Sequence, residues 1–140
     1  MRVTILSIGH RMPAWIDEGY NEYARRMPPE IKLELVALKP GADMLAAIPK
    51  GGTLIALDEK GKSVSSQGLS VMLSAWMQDG SHPVFAIGAA DGLDPAVKER
   101  ADKLISLSAL TLPHALVRVV LAEQLYRAWS ILARHPYHRE

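Results

Sequence analysis

The C-terminal tail of the chain carries several side chains that can do chemistry. His135, Tyr137, His138 and Arg139 lie within five residues of one another. An imidazole can accept a proton near neutral pH, whereas a phenol and a guanidinium can stack on a base or bind an oxyanion or phosphate. A solvated, frayed tail is the alternative. Two histidines are too few ligands for zinc, so we expect no metal site here.

Small residues dominate a second candidate site, the segment 88–92, whose sequence is Gly-Ala-Ala-Asp-Gly. Because glycine has no Cβ, a ligand can approach the backbone closely there. The segment lacks the Gly-Lys-Ser/Thr of a P-loop and the third glycine of a dinucleotide fingerprint. The segment therefore either binds a ligand or only forms a tight strand-to-helix turn.

Two further segments place polar groups beside apolar runs. Asp58 opens the predicted loop 58–62, where a carboxylate can accept hydrogen bonds from a ribose or can simply be solvated. Residues 106–113 are apolar but interrupted by hydroxyls and ended by Pro113, which favours a buried irregular loop. The backbone polar groups of such a loop need partners, and a ligand rich in donors and acceptors would supply some of them.

The elements that must position these residues follow from the apolar pattern. It predicts strands at residues 3–8, 31–38, 53–57, 83–87 and 104–107, and helices at 13–26, 65–80, from 94 onward and at 114–134. The run 31–38 alternates and then turns fully apolar, as expected for a strand entering the core. Strands alternating with helices indicate βαβ units, so we expect an α/β fold with a mainly parallel sheet flanked by helices. Ligands bind beyond the carboxyl ends of such strands, after Leu57, Ile87 and Leu107.

The last predicted helix has two different faces when it is projected at 100° per residue. A wet face contains Glu123, Arg127, Ser130 and Arg134. The opposite, otherwise apolar stripe contains His114, Arg118, Leu121, Leu125 and Trp129. A guanidinium on an apolar stripe must be paired, since an unpaired buried charge is very costly. Arg118 therefore either snorkels to solvent at the helix start or serves a site or a subunit interface.

Composition narrows the class of protein. The chain has 140 residues, with 49% hydrophobic and 22% charged, which indicates one globular domain over residues 1–140 and excludes a disordered chain. The absence of cysteine excludes disulfides, thiolate metal sites and a cysteine nucleophile. No apolar run approaches the roughly 18 residues of a membrane span, and the N-terminus does not fit a signal peptide. We therefore expect a soluble, cytoplasmic protein with no membrane association.

The charge is balanced overall but not along the chain. The chain has sixteen Lys and Arg residues and fifteen Asp and Glu residues, which gives a formal net charge of +1. The basic residues are nevertheless concentrated after residue 113. This part of the chain contains four arginines and three of the five histidines, and its acidic residues are only Glu123 and Glu140. A nearly neutral protein with one basic edge should bind bare RNA weakly and depend on a shaped, preassembled substrate.

Four blocks of sequence carry a resemblance to a known family. They are ALDEKGK at 56–62, FAIGAADGLDP at 85–95, SLSALTLPHALVRVVLAEQLYRAWSI at 106–131 and HPYHRE at 135–140. Together with the opening around Trp15, Tyr20 and Tyr23, they closely resemble the bacterial ribosomal RNA large subunit methyltransferase H family over nearly the whole chain. The resemblance implies a SPOUT-class α/β fold whose C-terminal segment forms a trefoil knot, a rare exception to the rule that chains do not thread.

The resemblance also implies an activity. Such proteins bind S-adenosyl-L-methionine in the knotted loops, act as homodimers, and methylate N3 of a pseudouridine in 23S rRNA of the assembled ribosome. Carried over by position, the residues expected to bind this methyl donor are Leu57, Gly88, Ala89, Ser108, Ala109, Leu110, Thr111, Leu112 and Pro113.

The catalytic residues expected from the resemblance lie in the tail and the last helix. His138 is the candidate base, or orders a water that acts as one, and Arg139 or Arg118 would stabilise the anionic ring oxygen. Tyr137 would stack on or position the base. The residues expected to contact the RNA are His114, Arg118, Tyr137 and Arg139.

The sequence departs from the family pattern at two places. Ala89 stands where relatives usually have a second glycine, which matters only if this position needs a positive φ. Relatives also carry a longer polar, charged and helix-forming segment around residues 40–45. Two other functions remain open: a nucleotide-binding α/β module that takes NAD or FMN, and a catalytically inactive ribosome-binding protein of the same fold.

Overall fold

The structure, a computed structural model, describes residues 1–139. In chain order its elements are β1 (Arg2–Ile8), α1 (Ala14–Ala24), β2 (Lys32–Leu38), a 3-10 helix (Leu45–Ala47), β3 (Gly52–Ser63), α2 (Ser66–Asp79), β4 (His82–Ile87), α3 (Pro95–Arg100), β5 (Lys103–Ser106), α4 (His114–Leu132) and a tail 3-10 helix (Pro136–Arg139). None of the helices within residues 1–139 is long and apolar enough to cross a membrane.

Local capping signals explain where the helices begin and end. Ser65 caps α2 by accepting a hydrogen bond from Gly68 N at 3.0 Å, and Gly80 ends this helix with a φ of 68°. Asp94 caps α3 by accepting from Ala96 N at 2.9 Å. Each cap satisfies a backbone N–H that a helix terminus leaves without a partner. The predicted starts of both helices are confirmed.

All strand pairs of the sheet are parallel, in the order β2-β1-β4-β3-β5. In this register Ile5 of β1 lies beside Phe85 of β4, and Phe85 lies beside Ile55 of β3. The predicted parallel α/β architecture is confirmed. Because the strands are parallel, the segments that follow β1, β3, β4 and β5 all emerge at one edge of the sheet.

The two faces of the sheet are covered unequally. On one face α1, α2 and α4 pack on a large core that includes Ile5, Phe85 and Leu121. The other face is covered by α3 and the first 3-10 helix, which pack over small residues such as Ala56 and Ala86. The core on this face also contains the larger Leu6, Leu54 and Val84 of the sheet.

Strand β2 is an edge strand, which contradicts one expectation. The apolar end of this run was expected to enter the core, but Val36 and Ala37 are exposed. β2 pairs with β1 alone in the sheet described, so only one of its edges is protected. An apolar run therefore does not by itself place a strand at the centre of a sheet.

Strand β3 is longer than predicted. Leu57 and Lys62 both pair with Ile105 of β5, so residues 58–61 project out of the register between them. We call these four residues the β3 bulge. A Cβ on Gly61 would lie 2.6 Å from the Ile105 carbonyl carbon, so only glycine allows the two backbones to pass this closely. The predicted loop 58–62 is thus a bulge within a strand.

The tail is packed rather than frayed. The Tyr137 ring lies 4.7 Å from the Tyr126 ring, between centroids, and 6.5 Å from that of Tyr23 on α1. Ser130, expected on the wet face of the last helix, is completely buried. The prediction of a solvated face is therefore wrong at this residue, because projection of a helix does not show which later segments fold back onto it.

Candidate functional site

A cavity of about 730 Å³ opens beside the β3 bulge and the ends of β4 and β5. It is lined by residues of the β3 bulge, by residues 88–92, and by residues 106–113 with the start of α4. This is the usual position and size of a ligand site in a parallel α/β sheet. The structure therefore brings together the three segments that the sequence identified separately.

Nearly all of the residues predicted to bind a methyl donor line this cavity. Those that do are Leu57, Gly88, Ala89, Ser108, Leu110, Thr111, Leu112 and Pro113, whereas Ala109 does not. The cavity also contacts His114, which was predicted to contact RNA. Their roles in binding remain predictions, but their proximity is a property of the fold.

Segment 88–92 forms a tight turn with no room for side chains at its start. Gly92 N donates to Ala89 O at 2.9 Å, and Gly92 has a φ of 90°. A Cβ on Gly88 would lie 2.4 Å from the Gly92 carbonyl carbon. Ala89 does not have a positive φ, because Arg134 is the only such non-glycine residue within residues 1–139. Alanine is therefore accommodated at position 89 without backbone strain.

Residues 107–113 form no helix or strand, as expected, but the expectation that this loop is buried is wrong. Leu110 is 74% exposed. Ser106 Oγ donates to Ser108 O at 2.9 Å, and Ser108 Oγ accepts from Leu110 N at 2.9 Å. The serine hydroxyls thus satisfy backbone groups within the loop, so it does not need a ligand for that purpose.

Charged side chains around the cavity are mainly acidic. Asp58, Glu59 and Asp91 line it, and Lys98 is the only lysine or arginine among its lining residues. Lys98 Nζ lies 3.2 Å from Asp58 Oδ2, and Asp58 Oδ1 accepts from Lys60 N at 3.2 Å. These contacts lower the pKa of Asp58, with the Lys60 hydrogen bond as the largest cause. Asp58 is therefore ionised at neutral pH.

Sequence reasoning missed Lys98 as a cavity residue. A lysine on the last turn of a short predicted helix is normally solvated. The one signal available was its position four residues after the Asp94 cap, which places it one turn from the start of α3. Only the packing of α3 beside the β3 bulge shows that this turn faces Asp58.

Arg118 is buried at the junction of α4 and β1. It is 2% exposed, its Nε donates to Ser7 Oγ at 3.0 Å, and its Nη2 donates to Gly9 O. Burial lowers the pKa of Arg118, but a guanidinium keeps its charge. The snorkelling alternative is therefore wrong. The guanidinium has partners within one chain, so its burial no longer argues for a subunit interface.

Tyr137 is held against α4 by its hydroxyl and its ring. The hydroxyl donates to Glu123 Oε2 at 2.7 Å, and the Arg127 guanidinium lies 4.9 Å from the ring centroid. Arg127 Nη2 also lies 2.7 Å from Glu123 Oε2. Burial, reinforced by the hydrogen bond to Glu123, raises the pKa of Tyr137, so the phenol stays protonated and donates.

The predicted catalytic tail and the cavity are separate within one chain. No residue of the tail 3-10 helix is among those lining the cavity. Glu123, to which the tail is tied, lies nine residues beyond His114 on α4, about 14 Å along the helix. His138 Nδ1 is buried and has no hydrogen-bond partner within residues 1–139, and Arg139 is exposed.

Within residues 1–139, no three His, Cys, Asp or Glu side chains are grouped as a metal ion would require.

Comparison with known proteins decides the family. The profile of a family described as "Predicted SPOUT methyltransferase" matches residues 1–138. The chain belongs to the SPOUT methyltransferase family. The SPOUT fold expected from the sequence is therefore confirmed. Its features in this structure are a parallel sheet and a cavity at the carboxyl edge of that sheet.

Three relatives named "Ribosomal RNA large subunit methyltransferase H" match over 99% of this chain and 99% of their own length. Those of Ralstonia pickettii (strain 12J) and Herminiimonas arsenicoxydans are 52% identical, and that of Burkholderia multivorans (strain ATCC 17616 / 249) is 50% identical. The resemblance predicted from the four sequence blocks is confirmed.

A solved structure shares the fold. The probable methylase family protein from Haemophilus influenzae Rd KW20 matches with a TM-score of 0.62, covering 97% of this chain and 69% of that one. At 11% sequence identity, this likeness shows the SPOUT architecture alone. The trefoil knot stays a prediction.

This SPOUT chain lacks internal residues that its relatives have. The alignments extend over 155 positions, 15 more than the 140 residues of this chain. In the structure, residues 39–44 alone join β2 to the first 3-10 helix, through a turn in which Ala42 N donates to Lys39 O at 3.0 Å. The position of the missing segment, around residues 40–45, stays a prediction.

Proposed function

We propose that this protein transfers a methyl group from S-adenosyl-L-methionine to N3 of a pseudouridine in 23S rRNA of the assembled ribosome, acting in the cytoplasm as a homodimer. The names of the relatives, which are ribosomal RNA large subunit methyltransferases, support an rRNA substrate. The observation that carries the proposal is the acidic cavity beside the β3 bulge and the ends of β4 and β5.

The chemistry of the cavity fits this methyl donor. S-adenosylmethionine has a sulfonium and an ammonium, and both cations are favoured beside Asp58, Glu59 and Asp91. Leu57 and Leu112 supply apolar surface for an adenine ring. The volume of the cavity lies in the range of small-molecule sites.

The same charges disfavour the alternative of a nucleotide-binding module. NAD and FMN carry phosphates, which carboxylates repel and which need backbone N–H groups or basic side chains. Lys98 is the one Lys or Arg side chain among the lining residues, against three carboxylates, so the lining stays acidic. Ala89, which replaces a glycine common in the family, does not support an inactive protein either, because its backbone is unstrained.

The proposed mechanism assigns roles to residues of this chain. When bound, the donor supplies a methyl group that is already a strong electrophile. His138 removes the N3 proton of the imide, directly or through a water, and Arg139 stabilises the negative charge that develops on the ring oxygen. Tyr137, whose hydroxyl is held by Glu123, positions both neighbours. Arg118 acts by holding Gly9 and Ser7 rather than by contacting RNA.

We infer the homodimer from the separation of the tail and the cavity. Because residues 136–139 do not line the cavity of their own chain, the tail of the partner subunit completes each site. Two tails then lie near two cavities, and exposed Arg134 and Arg139 of both subunits contribute basic surface. This surface is small, which accounts for a substrate whose shape is set by the assembled ribosome.

Calorimetric titration tests the donor directly. Titrating the wild-type protein with S-adenosylmethionine, NAD and FMN should give saturable heat for S-adenosylmethionine alone. Binding of NAD or FMN without S-adenosylmethionine would replace the proposal with the nucleotide-binding alternative. Binding of none of the three would favour an inactive protein.

Replacement of His138 tests the base. Methyl transfer to assembled ribosomes by His138→Ala, at saturating donor, should fall by about 100-fold or more. Activity within a few-fold of the wild type would remove His138 from the chemistry.

A further inference from the structure

The methyl-donor cavity contains one ion pair that the mechanism above does not use. Lys98 of α3 and Asp58 of the β3 bulge face each other at 3.2 Å, and both line the cavity. The Lys98 side chain is 38% exposed and that of Asp58 is 19% exposed. A pair in this position remains accessible to a ligand while its geometry is partly fixed.

Both partners stand on backbone that the fold holds in place. The Asp58 carboxylate is oriented by Lys60 N within the β3 bulge, and the bulge is anchored where Gly61 passes the backbone of Ile105. Lys98 lies on α3, whose start is fixed by the Asp94 cap. The Asp58 carboxylate and the backbone that carries Lys98 are therefore in place before any ligand binds, which reduces the entropy lost on binding.

The distribution of charge around the cavity gives this pair a distinct capacity. Each of the carboxylates of Asp58, Glu59 and Asp91 can bind a cation. Within residues 1–139, Lys98 is the one lysine or arginine that lines the cavity, and its ammonium can bind an anion. A ligand that carries an ammonium and a carboxylate on one carbon atom matches a carboxylate and an ammonium held side by side. The amino-acid end of S-adenosylmethionine is such a group.

We propose that Lys98 and Asp58 recognise the amino-acid end of the methyl donor, with Lys98 binding its α-carboxylate and Asp58 binding its α-ammonium. This inference rests on the proposed function, since it takes the donor to be S-adenosylmethionine. The pair thereby discriminates donors and products that carry the amino acid from adenosine thioethers that lack it.

A purely structural role for the pair makes a different prediction. If the ion pair only holds the β3 bulge against α3, then its loss distorts the cavity for every ligand. If it recognises the amino acid, then its loss weakens only the ligands that carry one. Two natural thioethers separate these cases, because S-adenosylhomocysteine carries the amino-acid end and 5′-methylthioadenosine carries a methyl group in its place.

The experiment measures the affinities of S-adenosylmethionine, S-adenosylhomocysteine and 5′-methylthioadenosine by calorimetry for the wild type, Lys98→Met and Asp58→Asn. We expect each variant to bind S-adenosylhomocysteine and S-adenosylmethionine about tenfold more weakly, and 5′-methylthioadenosine within about twofold of the wild type. The wild-type preference for S-adenosylhomocysteine over 5′-methylthioadenosine should shrink accordingly.

Lys60→Met is the matched control for Lys98→Met. It removes the same charge two residues from Asp58, but Lys60 is not among the residues that line the cavity. Its hydrogen bond to Asp58 comes from the backbone N–H, which the variant keeps, and its ammonium acts on Asp58 only through its charge. Its affinities for all three ligands should stay within about twofold of the wild type. Equal weakening by both lysine variants would assign the effect to net charge and overturn the proposal.

The remaining outcomes separate this inference from the proposed function. Equal weakening of all three ligands by Lys98→Met would reduce the pair to a structural contact. Unchanged S-adenosylhomocysteine affinity in both variants would overturn the inference while leaving the proposed donor intact. Failure of the wild-type protein to bind S-adenosylmethionine would overturn both.

Discussion

The Tyr137 hydroxyl donates a 2.7 Å hydrogen bond to Glu123 Oε2, which ties the tail to the middle of α4. The same carboxylate oxygen accepts from Arg127, whose guanidinium lies over the Tyr137 ring. The tail is thus held by a charge-assisted hydrogen bond and by ring packing at once. His138 and Arg139, which immediately follow Tyr137, take their positions from this contact.

Tyr137→Phe should loosen the tail without unfolding the protein. The variant keeps the ring packing on Tyr126 but loses the hydrogen bond to Glu123. Because hydrogen bonds to charged groups contribute about 1.5–3 kcal/mol, carboxypeptidase should remove the C-terminal residues at least about tenfold faster. Tyr126→Phe, which keeps the neighbouring ring, is the control. Digestion of Tyr137→Phe at the wild-type rate would show that the bond does not hold the tail.

Arg118→Met should lower the free energy of unfolding by about 2 kcal/mol, because Ser7 Oγ and Gly9 O lose a buried donor. Urea denaturation measures this change. Arg118→Lys should recover only part of it, since one ammonium on a flexible stem does not reproduce the fixed guanidinium fork. A stable Arg118→Met protein that has lost methyl transfer would instead indicate direct contact with the RNA.

Two inactive variants should complement each other if the partner's tail completes each site. Gly88→Ala forces the 88–92 turn to shift, because its Cβ meets the Gly92 carbonyl carbon at 2.4 Å, and His138→Ala removes the base. Co-expression of the two chains should restore about a quarter of wild-type methyl transfer, since half of the dimers are mixed and each has one intact site.

The controls for complementation are the two homodimers, each of which should be inactive and folded by circular dichroism. Light scattering should give a dimeric mass for both. Mixed dimers as inactive as the homodimers would place the tail and the cavity of the same chain in one site.

His82 should make stability depend on pH below neutrality. It shares a 2.7 Å hydrogen bond with Thr4, and burial, with a further contribution from the charge of Arg2, lowers its pKa from the ordinary value of 6.5. Just below pH 6.5 the unfolded chain therefore binds more protons than the folded chain. The contribution of His82 to the free energy of unfolding is complete above pH 6.5 and is lost as the pH falls through the pKa of His82 in the folded protein.

The comparison of wild type with His82→Gln measures this contribution. In urea denaturation, the stability advantage of the wild type should be largest above pH 6.5 and should shrink toward pH 5. His10→Gln, at an exposed position, should follow the wild type across the range. An advantage that stays constant with pH would contradict the account.

The sequence predicted those features that neighbouring residues determine. Ser65 and Gly80 bound α2 through contacts within a few positions, and the Asp94 cap acts two residues away. The three cavity segments were also found, because parallel strands must end at one edge of a sheet. Local chemistry and sheet topology were sufficient for these.

Long-range contacts account for what the sequence did not reveal. Arg118 and Ser7 are 111 positions apart, and Lys98 pairs with Asp58 of a different element. The β3 bulge exists because two residues of β3 share Ile105 as a partner. Burial of Ser130 likewise accompanies a tail that folds back on α4. Periodicity within one segment contains no information about such partners.

Methyl transfer to ribosomes is the measurement that tests the central claim most directly. The wild-type protein is incubated with S-adenosylmethionine labelled on its methyl group and with assembled ribosomes that lack the modification, and in parallel with protein-free 23S rRNA. The account predicts stoichiometric label in the 23S rRNA of assembled ribosomes, on N3 of a pseudouridine, and little on free RNA. Absence of label from assembled ribosomes, at donor concentrations that saturate the protein, would contradict it.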